Sequence, residues 1–193
     1  MDQAVLKAMA RWPNVPAVYG WLSLDRRGRW LIKGETIANE TLRHFISRNY
    51  LADGDGHHAF QNGPQKVYVE LAYTPWVVQV DPAGALILHT GEPVAALSGA
   101  WVDETGSVLL QTDKGIALLD DRDLERLADR WCAGDGSPLD DEGREARLEQ
   151  LVEGEPADLA MPWQGQLIPI ATIRSACAAA QFGFKPMPRP PAP

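Results

Sequence analysis

The sequence predicts an α+β fold, an antiparallel β-meander that curves or forms a partly open barrel, packed with about five short helices. Three observations carry this reading. Three Asp-x-x-Gly tetrapeptides lie between apolar alternations, at Asp25-Arg26-Arg27-Gly28, Asp81-Pro82-Ala83-Gly84 and Asp103-Glu104-Thr105-Gly106. Separate stretches repeat apolar residues at helical period. Seven tryptophans in 193 residues supply a substantial core, with a ligand-stacking surface as the other use for such rings.

The first element is an amphipathic helix over residues 2–12, with Val5, Leu6, Met9 and Trp12 on one stripe and Pro13 just beyond its end. Three hairpins follow, at 18–33, 77–89 and 99–111, and their turn chemistry sets the register. Asp at the first turn position bonds backbone two residues on, Pro82 pre-sets a type I turn, and Gly at the fourth position takes the left-handed conformation of a bulge. A three-residue loop pairs Leu24 with Trp30 and Leu22 with Ile32. It likewise pairs Val80 with Leu86, Val78 with Leu88, Val102 with Val108 and Ala100 with Leu110. A two-residue loop would set Leu24 against Arg29, so shared apolar faces select the longer loop.

Between the first two hairpins, residues 39–50 read as a helix with Leu42, Phe45, Ile46 and Tyr50 on one face, and 53–64 as a polar loop. Strands follow at 66–73 and 76–80, with further strand candidates to Leu119, giving about eight or nine in all. Asp120-Asp121 opens a helix with Leu124, Leu127, Ala128 and Trp131 inward and acidic residues at its positive end. Residues 134–143 read as a loop or linker, 144–152 as a helix, 154–158 as a break, 166–170 as a strand and 172–180 as a small-residue helix. The segment from Pro186 reads as a disordered or polyproline tail, with a Pro-x-x-Pro spacing at Pro188 and Pro191. One domain over 1–185 results, divisible near 92/93. Trp21-x-x-x-Asp25 echoes Trp101-x-Asp103, but turn chemistry alone explains the echo, and no repeat is assigned.

Composition narrows the function classes. Apolar residues make up 45% and charged residues 23%, ordinary for a globular chain. The net charge of −8, from 26 acidic against 18 basic residues, disfavours a nucleic-acid partner, because no basic stripe exists beyond Arg26, Arg27 and Arg29, and then Arg43 and Arg48. The N-terminus lacks a signal-peptide pattern and no apolar run reaches membrane-spanning length, so a cytoplasmic protein without membrane contact is expected. Cys132 and Cys177 lack metal-ligand spacing and imply neither disulfide scaffold nor zinc site.

The stretch Asp25-Arg-Arg-Gly-Arg-Trp30-Leu-Ile-Lys-Gly34-Glu-Thr-Ile37, then Leu42 and Phe45, then Lys66-Val-Tyr-Val-Glu70 and Thr74-Pro75-Trp76, resembles uncharacterised proteobacterial families of domains of unknown function. The likeness covers residues 20–80 and consists of turn and core positions. It implies a bacterial α+β protein and carries over no catalytic residue.

The candidates for chemistry are the four histidines. Asp53-Gly-Asp55-Gly-His57-His58 gathers oxygen and imidazole donors, but His58 and Pro64 stand where an EF-hand needs Gly and Glu, so no metal is assigned. His44 lies on the second helix beside Arg43, off its apolar stripe, and His89 ends a strand near Thr90 and Glu92. Ser98 lacks a nucleophile elbow, Cys132 reads as buried helix packing, and Cys177 has no histidine partner. Asp120, Asp121 and Asp123 are explained by helix capping. No cofactor fingerprint is present. The expected function is therefore a non-catalytic binding or regulatory module, engaging a small molecule or protein in a sheet–helix groove. The alternatives are an enzyme centred on His44, His57, His58 or His89, and a structural homo-oligomer.

Overall fold

Local alternation and turn chemistry specify the hairpins, and all six predicted cross-strand pairs are present in the structure, a computed structural model that describes residues 1–12 and 15–190. Helix α1 spans Gln3–Arg11. The predicted proline stop at Pro13 and the last residue of the Pro-x-x-Pro spacing, Pro191, lie outside the described residues. Strands β1 (Val18–Leu24), β2 (Trp30–Ile32) and β3 (Glu35–Thr36) form the first meander, and α2 (Glu40–Arg48) follows. Next come β4 (Tyr50–Ala52), β5 (His58–Asn62), β6 (Gln65–Leu71), β7 (Trp76–Val80) and β8 (Leu86–Leu88). The second meander is β9 (Leu97–Asp103), β10 (Val108–Thr112) and β11 (Gly115–Leu119). A 3-10 turn at Asp121–Asp123 leads into α3 (Leu124–Ala128) and α4 (Asp141–Glu153), then β12 (Ala160–Trp163), β13 (Gln166–Ile173) and α5 (Ser175–Phe182).

The fold is α+β, with two open mixed sheets ordered β3-β2-β1-β6-β5-β4 and β12-β13-β9-β10-β11-β7-β8. Hairpins supply the antiparallel pairs. Three joins are parallel, β1 with β6, β7 with β11 and β9 with β13, each closed by a long connection that short-turn reasoning does not reach. The chain forms two units. One comprises Met1–Pro75, His89–Gly91 and Gly183–Pro193, the other Trp76–Leu88 and Glu92–Phe182.

Each unit contains the same connection order. A three-strand meander is followed by helix, then a hairpin whose second strand returns parallel to the first strand of the meander: β1-β2-β3-α2-β4-β5-β6 in one unit, with β4 as an added edge strand, and β9-β10-β11-α3-α4-β12-β13 in the other. Leu24 pairs with Trp30 and Leu71, and Val102 pairs with Val108 and Thr172. The Asp25–Gly28 and Asp103–Gly106 turns therefore hold equivalent places in a topological repeat, whereas Trp21 and Trp101 do not.

Several boundaries differ from expectation. The predicted polar loop over 53–64 is a hairpin, because Asp53-Gly-Asp-Gly56 makes the same turn as the other three: Gly56 N–H donates to Asp53 O and Asp53 N–H to His57 O. Four of the five β5 residues are buried despite two polar side chains among them. The last helix begins at Ser175 rather than 172, since Thr172 and Ile173 still pair with β9, and Glu104 receives the Ser175 N–H in the manner of a cap. The third helix ends at Ala128, so Trp131 and Cys132 are buried outside it, Cys132 bridging Pro138 and Ala160. Pro186, in the segment read as a tail, accepts a hydrogen bond from Leu71 N–H.

Candidate functional site

One face of the six-stranded sheet carries Leu22, Leu24, Trp30, Phe60, Val69 and Leu71, all buried. Helix α2 lies over this face because its apolar stripe needs a partner. Asn39 caps it through Leu42 N–H at 2.9 Å, Ile46 is buried, and Phe45 meets Phe60 edge-to-face at 5.4 Å. Toward one end of the sheet the contact opens into a cavity of about 370 Å³. Eight of its ten lining residues are apolar, and Asn62 and Gln65 are the polar two.

A bulge shapes the mouth. Between Val18 and Leu22, β1 advances four residues while β6 advances two, from Val67 to Val69, with Gly20 at φ +69°. The break lets two consecutive residues, Trp21 and Leu22, both line the cavity. Trp21 stays 52% exposed, whereas Leu22 is buried. The neighbouring Lys33-Gly34 turn has both residues at positive φ, +49° and +85°. This places the Lys33 ammonium 4.0 Å from the Trp21 ring centroid.

At the deeper end of the same face, Trp30, Tyr50, His58 and His89 pack ring on ring, with centroids 5.0–5.8 Å apart. Tyr50 Oη donates to Pro75 O at 2.8 Å. Burial holds the His58 imidazole down at about 4, outweighing the attraction of Asp53 for its charged form. Burial also lifts the Tyr50 hydroxyl well above its usual range. The His58 imidazole and the Tyr50 hydroxyl are therefore neutral at neutral pH and packed as core.

Asp53, His57 and Tyr68 also meet. His57 Nδ1 stands 3.8 Å from Asp53 Oδ2, and the Tyr68 hydroxyl donates to that oxygen at 3.1 Å. Asp53 Oδ1 receives the N–H groups of Asp55 and His57. Burial raises the Asp53 carboxyl, but these donors prevail and hold it below the usual carboxylate range. Burial first, then Asp53, pushes the Tyr68 hydroxyl up to about 12. The carboxylate thus spends its oxygens on closing the turn. Among the described residues no three metal-ligating side chains cluster.

The remaining sequence candidates stand apart. His44 is exposed, 3.8 Å from Glu40 on the same helix. Cys132 is buried, with burial raising its thiol, and Cys177 is exposed on α5. Asp120, fully buried, caps the 3-10 turn and pairs with Arg122 at 2.5 Å. Burial alone would raise it, yet the Arg122 guanidinium carries it down to about 2. The cavity residues Trp21, Ile32, Asn62 and Gln65 were not legible as a site. The available signal was Gly20 interrupting the alternation of β1.

Residues 1–189 match a family described as "Protein of unknown function (DUF2946)". Among solved structures, the chain is similar to a DUF1285 family protein from Silicibacter pomeroyi DSS-3, with 18% identity, a TM-score of 0.54, and coverage of 90% of this chain and 97% of that one. A DUF1285 family protein from Shewanella baltica OS155 aligns at 14% identity and a TM-score of 0.39, over 54% of this chain and 87% of that one. No curated protein matches. The likeness to the Silicibacter protein is one of fold.

Proposed function

The chain belongs to the family described as protein of unknown function (DUF2946), and for this member we propose a non-catalytic binding module that takes a small apolar molecule between the six-stranded sheet and α2. The observation that carries the reading is the cavity of about 370 Å³ with its predominantly apolar lining. Its size falls within the range of small-molecule sites, roughly 300–1,000 Å³, and apolar walls with a few polar groups are their usual composition. The half-exposed Trp21 at the edge supports it, since a large aromatic ring left in water retains apolar area for an occupant to cover.

The histidines weigh on the same side. His58 and His89 pack against aromatic rings, His44 faces solvent, and the Asp53 carboxylate beside His57 is engaged by backbone N–H groups. A second reading, an acid–base site, rests on the Asp53–His57–Tyr68 group alone. His57→Ala with unchanged melting temperature and a lost cellular phenotype would favour it. We place the module in a bacterial cytoplasm; the two cysteines are free, and among the described residues no helix is long and apolar enough to cross a membrane.

The test is native mass spectrometry of freshly purified protein, followed by thermal-shift screening with apolar metabolites. A retained small molecule, or a rise in melting temperature that Val18→Phe abolishes, is the expected result. Neither a retained mass nor any shift across the screen would end the binding reading.

A further inference from the structure

Register places the polar groups of this cavity together. Leu22 pairs with Ile32, so the Lys33-Gly34 turn projects from the end of the sheet at which β1 begins. Val18 pairs with Val67 and Asn62 with Gln65, so the Gly63-Pro64 turn projects from that same end. The two polar lining residues, Asn62 and Gln65, flank this second turn, while the walls farther in are formed by Leu22, Ile46 and Phe60. The cavity is therefore graded, apolar in depth and polar at its mouth.

The charge at the mouth is also defined. Lys33 N–H donates to Trp21 O at 2.9 Å, which fixes the backbone of the turn against β1. Its ammonium rests on the Trp21 ring, 4.0 Å from the centroid, and among the described residues it forms no ion pair. Trp21 itself lines the cavity. A cation is thus held on the side chain of a residue that lines the apolar chamber. The opposing charges nearby are Glu35, the cross-strand partner of Ile32 and exposed to solvent, and Glu70, whose carboxylate lies beside Gly20.

Resting on the binding reading above, we infer that the occupant is an amphiphilic carboxylate, a medium-length aliphatic or aromatic acid whose apolar body fills the cavity and whose carboxylate meets the Lys33 ammonium. An apolar body answers the lining, and a carboxylate answers the cation. The amides of Asn62 and Gln65 add hydrogen-bond donors on the same side.

The test is calorimetric titration of the full chain with octanoate, 1-octanol and octylammonium, which share a tail and differ in head group. Octanoate binds about fivefold more tightly than octanol, as a solvent-exposed ion pair allows, and octylammonium binds more weakly than either. Raising the salt concentration shrinks the octanoate advantage and leaves octanol unchanged. Shortening the acid from octanoate to heptanoate weakens binding by about fourfold, the effect of one buried methylene. Lys33→Gln removes the octanoate preference while leaving octanol affinity intact, Lys33→Arg retains it, and Glu35→Gln enlarges it. Equal affinity for octanoate and octanol, or a preference that survives Lys33→Gln, overturns the carboxylate assignment and leaves the binding reading standing. Failure of all three amphiphiles to bind overturns both.

Discussion

Trp21 and Lys33 meet twice, once through backbone and once through side chain. The Lys33 N–H donates to Trp21 O at 2.9 Å, and the Lys33 ammonium sits 4.0 Å from the Trp21 ring centroid. The backbone contact extends the β1–β2 ladder one pair beyond Leu22–Ile32, and the side-chain contact lies across that pair. Gly20 at φ +69° breaks the alternation of β1, and Lys33 at φ +49° accepts a conformation that L-residues seldom adopt. The bulge and the turn together leave a half-exposed indole at the edge of an apolar cavity, and four measurements follow from this arrangement and from the turns around it.

Filling the cavity should exchange binding for stability. Val18 lines it and is only partly buried, so Val18→Phe adds apolar volume without displacing a packed neighbour. The gain is about 1 kcal/mol, or roughly 3 °C in melting temperature for a chain of this size. Octanoate affinity should fall at least tenfold in the same variant, measured by calorimetry.

Two glycines at φ +85° separate conformational strain from collision. An added Cβ at Gly34 meets nothing within 4 Å, whereas at Gly56 it lies 2.5 Å from the backbone oxygen of Gly183. Gly34→Ala should lose about 1 kcal/mol, the left-handed strain alone. Gly56→Ala should lose about 3 kcal/mol, because backbone must move as well. Urea midpoints compared at constant slope check the difference.

The Asp-x-x-Gly turns should be unequal despite their shared sequence. Asp103 is fully buried and its Oδ1 accepts from Thr105 N–H, Thr105 Oγ1 and Ser107 N–H. Asp25 makes analogous bonds to Arg27 and Arg29 N–H in an exposed turn. Asp103→Ala removes a fully buried side chain together with three hydrogen bonds to part-buried donors and should destabilise by about 2–3 kcal/mol, against about 1 kcal/mol for Asp25→Ala. Equal losses in thermal unfolding would contradict this account.

Acid should unfold the protein in two separate windows. The folded His58 titrates near 4, against 6.5 for a free imidazole, because burial disfavours its charged form. The unfolded chain therefore takes up a proton that the native chain refuses, and stability falls as pH drops from about 6.5 to about 4, by up to about 3 kcal/mol. Asp120, carried down to about 2 by Arg122, contributes a further loss as pH falls below 3.8 toward that value. His58→Gln should flatten the upper window and leave the lower one, read from urea unfolding at stepped pH.

What the amino-acid sequence determined by itself was local. The turns at Asp25, Asp81 and Asp103, and the pairs Leu24–Trp30, Val80–Leu86 and Val102–Val108, follow from a few adjacent residues whose alternation permits one register. The apolar stripe of α2 was legible for the same reason. The parallel joins of β1 with β6 and β9 with β13 were decided only in three dimensions, because their partners lie tens of residues apart and no short pattern encodes which strand a returning strand meets. The burial of β5 belongs here too: His58 and Gln61 read as loop residues until neighbouring strands and rings enclosed them. The cavity is the clearest case. Each of its walls is an ordinary apolar residue, and the space exists because the Gly20 bulge opens the contact between a sheet face and a helix that are not neighbours in sequence.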